Sequence, residues 1–263
     1  MSVIWDQWLI RQNIIQNADF TQYVFLEDNQ FRNQVEDELI DLIQTYHRNL
    51  IAPISILSKH GYPLLEKELR STLLSPLPQT DKTVKGNFGE ILACNFANVC
   101  LGFDIPVFRL RHNPNYDQSM KGDDVLGFIR NLNGEIEKII VGESKFRSAI
   151  SPSQIMTPLS EAYESLAKGP KSLDYLCAML DLNGQFDYAR SIRQIKNKIS
   201  QSQSHPLSIT HNLILLLTSG RSTEPFISLK NKSPLLPNLN AVYISLDLDF
   251  QSWLKQIFNK ANE

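Results

Sequence analysis

Apolar positions recur along this chain with two different periods, and the change comes near residue 81. In DNQFRNQVEDELIDLIQTYHRNL, Phe31, Val35, Leu39 and Ile43 stand four apart, the spacing of one face of a helix. Asp28 stands where it can cap that helix. PLLEKELRSTLL predicts a second helix, and SPLPQTDKT, with two prolines among polar residues, predicts a linker. Few strand signals fall before it. Residues 1–80 are therefore read as a mainly helical N-terminal region, accessory to the remainder of the chain. Its Trp5, Trp8 and Phe31 stripe needs a surface to cover it, either the rest of this chain or another chain.

Beyond the linker the period alternates. KGNFGEILACNFANVC predicts a helix with Phe88, Leu92, Phe96 and Val99 on one stripe. DIPVFRLRH predicts a strand, and residues 124–145 a hairpin. SPSQIMTPLSEAYESLAKG, residues 151–169, predicts a helix capped by Ser151 with Pro152 at its first position. Two further helical stretches cover about 171–182 and 185–200. HNLILLLTS and NAVYISLDL are buried-strand runs, and FQSWLKQIFNKA closes as a helix. The order α-β-β-β-α…β-β-α predicts an α/β domain over residues 81–263, a mixed central sheet flanked by helices.

The hairpin carries the chemistry. Asn133-Gly134 is a strong signal for a two-residue type I′ turn, because both central positions need positive φ. With that turn Leu132 faces Glu135, Arg130 faces Glu137, Phe128 faces Ile139, Leu126 faces Val141, and Asp124 faces Glu143. Facing residues share one side of the sheet with Cβ atoms about 4.5–5.5 Å apart. Lys145 lies on that same side, diagonal to Asp124, whereas Asp123 lies on the other side, across from Ser144. A one-residue bulge would exchange the two aspartates.

Two carboxylates facing each other destabilise a strand pair unless a cation lies between them. Hard oxygen donors suit Mg²⁺, with Mn²⁺ expected to substitute. Asp124, Glu143 and Lys145 at a sheet edge thus fit metal-assisted phosphodiester hydrolysis, with Lys145 orienting water or binding a phosphate oxygen. Glu90 is flanked on its helix by Gly86, Ala93, Cys94 and Ala97, which invites close approach of another element and makes it a candidate third carboxylate on the metal. Asp123 reads as a turn or supporting residue. Arg109, Arg111, His112, Lys121 and Arg147 are candidate contacts to a phosphate backbone.

Composition bounds these readings. The chain has 263 residues and a net charge of −2, which argues against nucleic-acid binding by bulk charge but leaves a local basic groove open. Cys94, Cys100 and Cys177 show no zinc or disulfide spacing, which suits a reducing cytoplasm. No run is apolar enough to span a membrane. No GxxxxGK[ST] loop occurs, so any ATP-driven motion belongs to another chain.

Asp124 followed by the Glu143-Ser144-Lys145 triplet, after Glu90 on an earlier helix, resembles the PD-(D/E)XK nuclease core, and the element order resembles that restriction-endonuclease-like fold. Asp123 stands where the family's proline would be. KGNFGEILA, KGDDVLGF and VGESKF resemble more closely the HamA nuclease subunits of Hachiman anti-phage defence systems. The resemblance covers about residues 81–263. It implies DNA as substrate, degradation of DNA in phage defence, and a superfamily 2 helicase partner, HamB, with restraint of the nuclease in the complex until a trigger arrives. It also makes Gln154, nine residues beyond Lys145, a candidate contact to phosphate or to the metal's outer ligands. Two alternatives remain: a catalytically silent DNA-binding or scaffold module, and a stand-alone restriction or repair nuclease.

Overall fold

The computed structural model describes residues 2–16, 20–48, 77–113, 115–118, 120–148, 152–201, 208–218, 226, 229 and 236–263. The predicted helix PLLEKELRSTLL and the cap Ser151 lie outside them. The described strands are β1 (Leu9–Gln16), β2 (Phe20–Glu27), β3 (Val125–Arg130), β4 (Ile136–Arg147), β5 (Ser208–Thr218) and β6 (Leu239–Leu246). They form one mixed sheet in the order β1-β2-β6-β5-β4-β3. β2, β6, β5 and β4 run parallel, and the two outer pairs are antiparallel.

Helices cover both faces. On one lie α1 (Arg32–His47), α2 (Asp81–Val99) and α6 (Phe250–Asn262), packed through Leu39, Phe88, Phe96 and Leu254 onto Ile140, Ile214 and Val242. On the other lie α3 (Pro152–Leu166), α4 (Leu173–Leu182) and α5 (Phe186–Gln201), packed through Leu159, Leu180 and Ile192 onto Ile139, Val141, Leu213 and Leu215. Successive residues of β5 feed opposite faces, so its unbroken apolar run reflects burial on both sides.

The N-terminal region departs from the helical expectation. The helix on the Phe31 stripe is present as α1, but Asp28 caps the short 3-10 turn Asn29–Phe31 before it, its Oδ1 accepting from Gln30 N at 3.1 Å, and α1 itself follows Phe31 without a side-chain cap. Residues 9–27, however, form β1 and β2, and β2 lies directly against β6. FTQYVFLE is rich in β-branched and aromatic residues, which suit a pleated surface. The apolar stripe is covered by this chain itself. Val35, Leu39 and Ile43 are fully buried within the core that includes α6, and Trp8 stacks on Phe250 with centroids 5.9 Å apart. Each such side chain contributes about 1.5–3 kcal/mol by leaving water.

DIPVFRLRH is not a regular strand. Asp104 alone bridges Phe128, with N–H···O contacts of 2.9 Å in both directions, and Arg109–His112 close a 3-10 turn. Pro106 has no N–H to donate to a ladder, so pairing cannot propagate along the segment. The turn instead directs Arg109 inward, where it is 9% exposed.

The hairpin keeps its predicted register near the candidate site by two departures that cancel. The connection is a loop from Asn131 to Glu135 rather than a two-residue turn. Asn131 Oδ1 accepts from the backbone N–H groups of Asn133 and Glu135 at 2.9 and 3.0 Å, and Gly134 takes φ +80°. That loop shifts Arg130 to face Ile136, and a bulge at Glu137 shifts the ladder back. The expected Arg130–Glu137 and Leu132–Glu135 pairs are therefore not made. Arg130 lies over the Tyr188 ring at 4.0 Å instead. Phe128 faces Ile139 and Leu126 faces Val141, as the pattern predicts, and the ladder ends at Val125–Gly142.

Candidate active site

At the end of that ladder β3 parts from β4, while β4 runs on beside β5, with Glu143 next to Leu213 and Lys145 next to Leu215. Asp124 sits at the fork. Glu143 and Lys145 alternate with Ser144, so they point to the α3 side, as Val141 does. Ser144 points to α2, where a Cβ on Gly89 would stand 3.2 Å from its Oγ. The close approach that the small residues around Glu90 implied is therefore made at Gly89 and at Cys94, whose Sγ lies 3.4 Å from the Asp124 carbonyl. Gly86 faces open space.

Glu90, Asp124 and Glu143 all reach the fork, and every one of their six oxygens already holds a bond. Asp124 Oδ2 accepts from Ser144 N and Oγ at 2.9 and 3.0 Å, and Oδ1 accepts from Arg109 Nη2 at 3.2 Å. Arg109 also grips Glu90, through Nη2 at 2.8 Å and Nε at 3.4 Å. Glu143 Oε1 accepts from Ser165 Oγ at 2.6 Å, and Oε2 from Lys145 Nζ at 3.3 Å. Ser165 in turn accepts from Lys171 Nζ. The cation between two of the carboxylates is thus a guanidinium, and among the described residues no group of three or more His, Cys, Asp or Glu is arranged to hold a metal ion.

Electrostatics follow from this crowding. Burial pushes the Glu90 carboxyl up to about 7 against the pull of Arg109, and the Asp124 and Glu143 charges push the same way as burial. Glu143 is also raised, by burial and then by Asp124, with Ser165 and Lys145 opposing. Arg109 keeps its charge, since its carboxylate neighbours outweigh its burial. Its Nη1 is buried with no partner among the described residues, beside a cavity of about 20 Å³ also lined by Tyr46, Cys94 and Tyr175.

Asp123 does different work. It is 4% exposed, and its Oδ2 accepts from the backbone N–H groups of Lys171 and Ser172, both at 2.8 Å. Its own N–H donates to Ser172 Oγ at 3.0 Å. Gly122, at φ +131°, permits this approach: a Cβ there would stand 2.5 Å from Ser172 Oγ and 2.9 Å from Arg109 Nη1. The adjacent aspartates are thereby divided, Asp124 to the carboxylate cluster and Asp123 to the loop before α4.

The remaining candidates scatter. Arg147, at the end of β4, donates Nη1 to the Phe146 carbonyl at 2.9 Å. Arg111 turns away to the Thr45 carbonyl and lies 4.6 Å from the Phe108 ring centroid. His112 packs near the ring of Tyr175, and Lys121 is exposed two residues before Asp123. Gln154 lies in the first turn of α3. Sequence reasoning missed Ser165 and Lys171, which carried no local signal, and it read Arg109 as a groove residue rather than a partner of two carboxylates.

The fold and the fork together define a three-layer α/β protein with a compact acidic and basic cluster where an antiparallel strand leaves a parallel sheet. A family model described as HamA matches residues 4–260, and the chain belongs to the HamA family. It is 29% identical over 263 residues to a Bacillus cereus protein named Hachiman protein HamA, covering 97% of this chain and 89% of that one.

Proposed function

We propose that this chain is a metal-dependent deoxyribonuclease and the effector subunit of an anti-phage complex in which a helicase partner holds it inactive until triggered. The observation that carries the reading is Glu143 at the fork, its carboxyl raised by burial and then by the nearby Asp124 charge, with Lys145 Nζ 3.3 Å from it. The donor set is hard oxygen from two sheet carboxylates, which fits Mg²⁺ or Mn²⁺. Bound there, the metal would supply an acidified water and offset charge on the phosphoryl oxygens.

The chain's own residues do the rest. Ser144 fixes Asp124 through two hydrogen bonds, and Ser165 fixes Glu143 through one. Lys145, a compact charge beside Glu143, binds a phosphate oxygen or orients the attacking water. Glu90 holds Arg109 beside Asp124, and its carboxylate would be a third candidate to hold the metal. Asp123 supports the site from the α4 side. Arg147 and Gln154 remain candidate contacts to DNA or to the metal's outer ligands. The relative's name, Hachiman protein HamA, supports the defence role. The Trp8 side chain is covered within this chain, so docking of residues 1–80 on a helicase, together with part of the α/β domain, would use other side chains of that region.

One observation favours the second reading, a silent DNA-binding module: all six carboxylate oxygens are held by the chain itself. The two readings separate by incubating plasmid and single-stranded DNA with the purified chain, in Mg²⁺ or EDTA, with and without the proposed helicase partner. Cleavage that needs Mg²⁺ and is lost in Glu143→Ala supports the nuclease. DNA binding without cleavage, in either the presence or absence of the helicase, overturns it. Co-elution of the two chains on size exclusion tests the partnership.

A further inference from the structure

The site has a second lysine. Lys171 lies in the loop between α3 and α4, and its Nζ donates to Ser165 Oγ, the same hydroxyl that donates to Glu143 at 2.6 Å. Lys145 approaches Glu143 from its other oxygen. The two ammonium groups thus flank one carboxylate, but they are not equivalent. Lys145 bonds Glu143 directly, at 3.3 Å. Lys171 is exposed and reaches that carboxylate only through a neutral hydroxyl, which leaves most of its charge and two of its three N–H donors for another anion.

Its placement is built rather than incidental. The backbone N–H groups of Lys171 and Ser172 both donate to Asp123 Oδ2, a buried carboxylate, and Ser172 Oγ accepts from Asp123 N. Asp123 immediately precedes Asp124, so the residue that anchors Lys171 is covalently tied to one that lines the fork. Gly122 leaves the room this packing needs. A buried carboxylate that binds two backbone N–H groups fixes the start of a long side chain far better than solvent would.

We propose that Lys171 is a DNA-binding residue of this site, contacting a backbone phosphate of the bound strand beside Glu143, and that Asp123 is its positioning residue. The inference rests on the nuclease reading above and adds to it the group that holds substrate on the α4 side. A phosphodiester brought next to Glu143 meets Lys145 and Lys171 together, two point charges on one side of the fork. Such a contact carries no base sequence, so it sets affinity uniformly and is screened by salt.

The test is binding of a fluorescein-labelled DNA duplex to the full chain in EDTA, read by anisotropy over a series of KCl concentrations. Lys171→Gln should weaken binding about five-fold at low salt and lower the slope of log K against log salt by about 0.9, one phosphate contact. Lys171→Arg should restore both, since it keeps the charge. Asp123→Ala should reproduce the loss, and adding it to Lys171→Gln should weaken binding no further. Lys171 is exposed, so its variants fold and decide the matter even if Asp123→Ala does not. Lys171→Gln with wild-type affinity and slope overturns this inference alone. A wild-type chain that neither binds nor cuts DNA overturns the nuclease reading and this inference with it.

Discussion

Arg109→Met is the perturbation that most directly probes the site. The guanidinium is 9% exposed and bonds Glu90 at 2.8 Å and Asp124 at 3.2 Å, while the Glu90 side chain is 8% exposed. Removing one partner of a buried pair leaves the other charge without compensation, at a cost of about 3–5 kcal/mol. The lower figure applies here, because Nη1 already lies buried without a partner, and the wild type bears that penalty too. Chains of this size lose about 2–4 °C of melting temperature per kcal/mol, so the variant should melt roughly 6–12 °C lower. The Glu90→Gln/Arg109→Met double variant, with a neutral amide beside an apolar side chain, should recover more than half of that loss. Added Mg²⁺ should raise the melting temperature of Arg109→Met more than that of the wild type, since the carboxylates then lack their internal cation. Thermal melts followed by circular dichroism measure all three. An Arg109→Met chain that melts within about 2 °C of wild type, a loss of at most about 1 kcal/mol, refutes this account, as does a double variant as unstable as the single one.

Three further outcomes follow from the same geometry. Asp124→Ala, Glu143→Ala and Lys145→Ala should each abolish Mg²⁺-dependent cleavage of plasmid DNA, whereas Asp123→Ala retains a measurable share; a dead Asp123→Ala beside an active Asp124→Ala would reverse the assignment of the two aspartates. Glu90→Gln should reduce cleavage more than it reduces stability, because a candidate third carboxylate of the metal site is then lost; an early-melting chain with normal cleavage would make Glu90 purely structural. His47 is 6% exposed, bonded to Ile43 O and Asn87, and its burial lowers its pKa to about 4. The unfolded chain takes up that proton near pH 6.5, so this contribution to stability is present above 6.5 and is lost as pH falls through 4, about 3 kcal/mol in all. Urea unfolding at stepped pH should show a shallower acid loss in His47→Gln, and an unchanged slope would dismiss the residue as its source.

The sequence revealed those parts of the molecule that local chemistry decides. The four-residue period of Phe31, Val35, Leu39 and Ile43 marked α1, and the apolar runs in β5 and β6 marked buried strands. The alternation from Leu126 to Phe128 against Ile139 to Val141 fixed the face on which Glu143 lies, even though the turn was wrong. Gly127 is where that register packs most closely on the 104–106 segment: a Cβ there would stand 2.5 Å from the Ile105 side chain. What escaped depends on contacts between distant segments. β1 and β2 carry Arg, Gln, Asn and Thr among their apolar residues, and β1 is an edge with Ile10 and Ile14 partly exposed, so neither offers a clean alternation. Arg109, Ser165 and Lys171 join the site from three separate elements, and nothing in their immediate neighbours marks them.

The pairing of β2 with β6 has a consequence for how this protein comes into being. Phe20 lies beside Leu239, so the sheet is closed by strands from opposite ends of the described chain. A ribosome delivers β1 and β2 first, and they wait with an unfilled edge until β6 emerges. The parallel strands β4, β5 and β6 can assemble as they appear, but the layer of α1 and α6 over them is completed only after both ends meet. Folding should therefore be slow and all-or-none late in synthesis, and the early hairpin is the segment most in need of a chaperone.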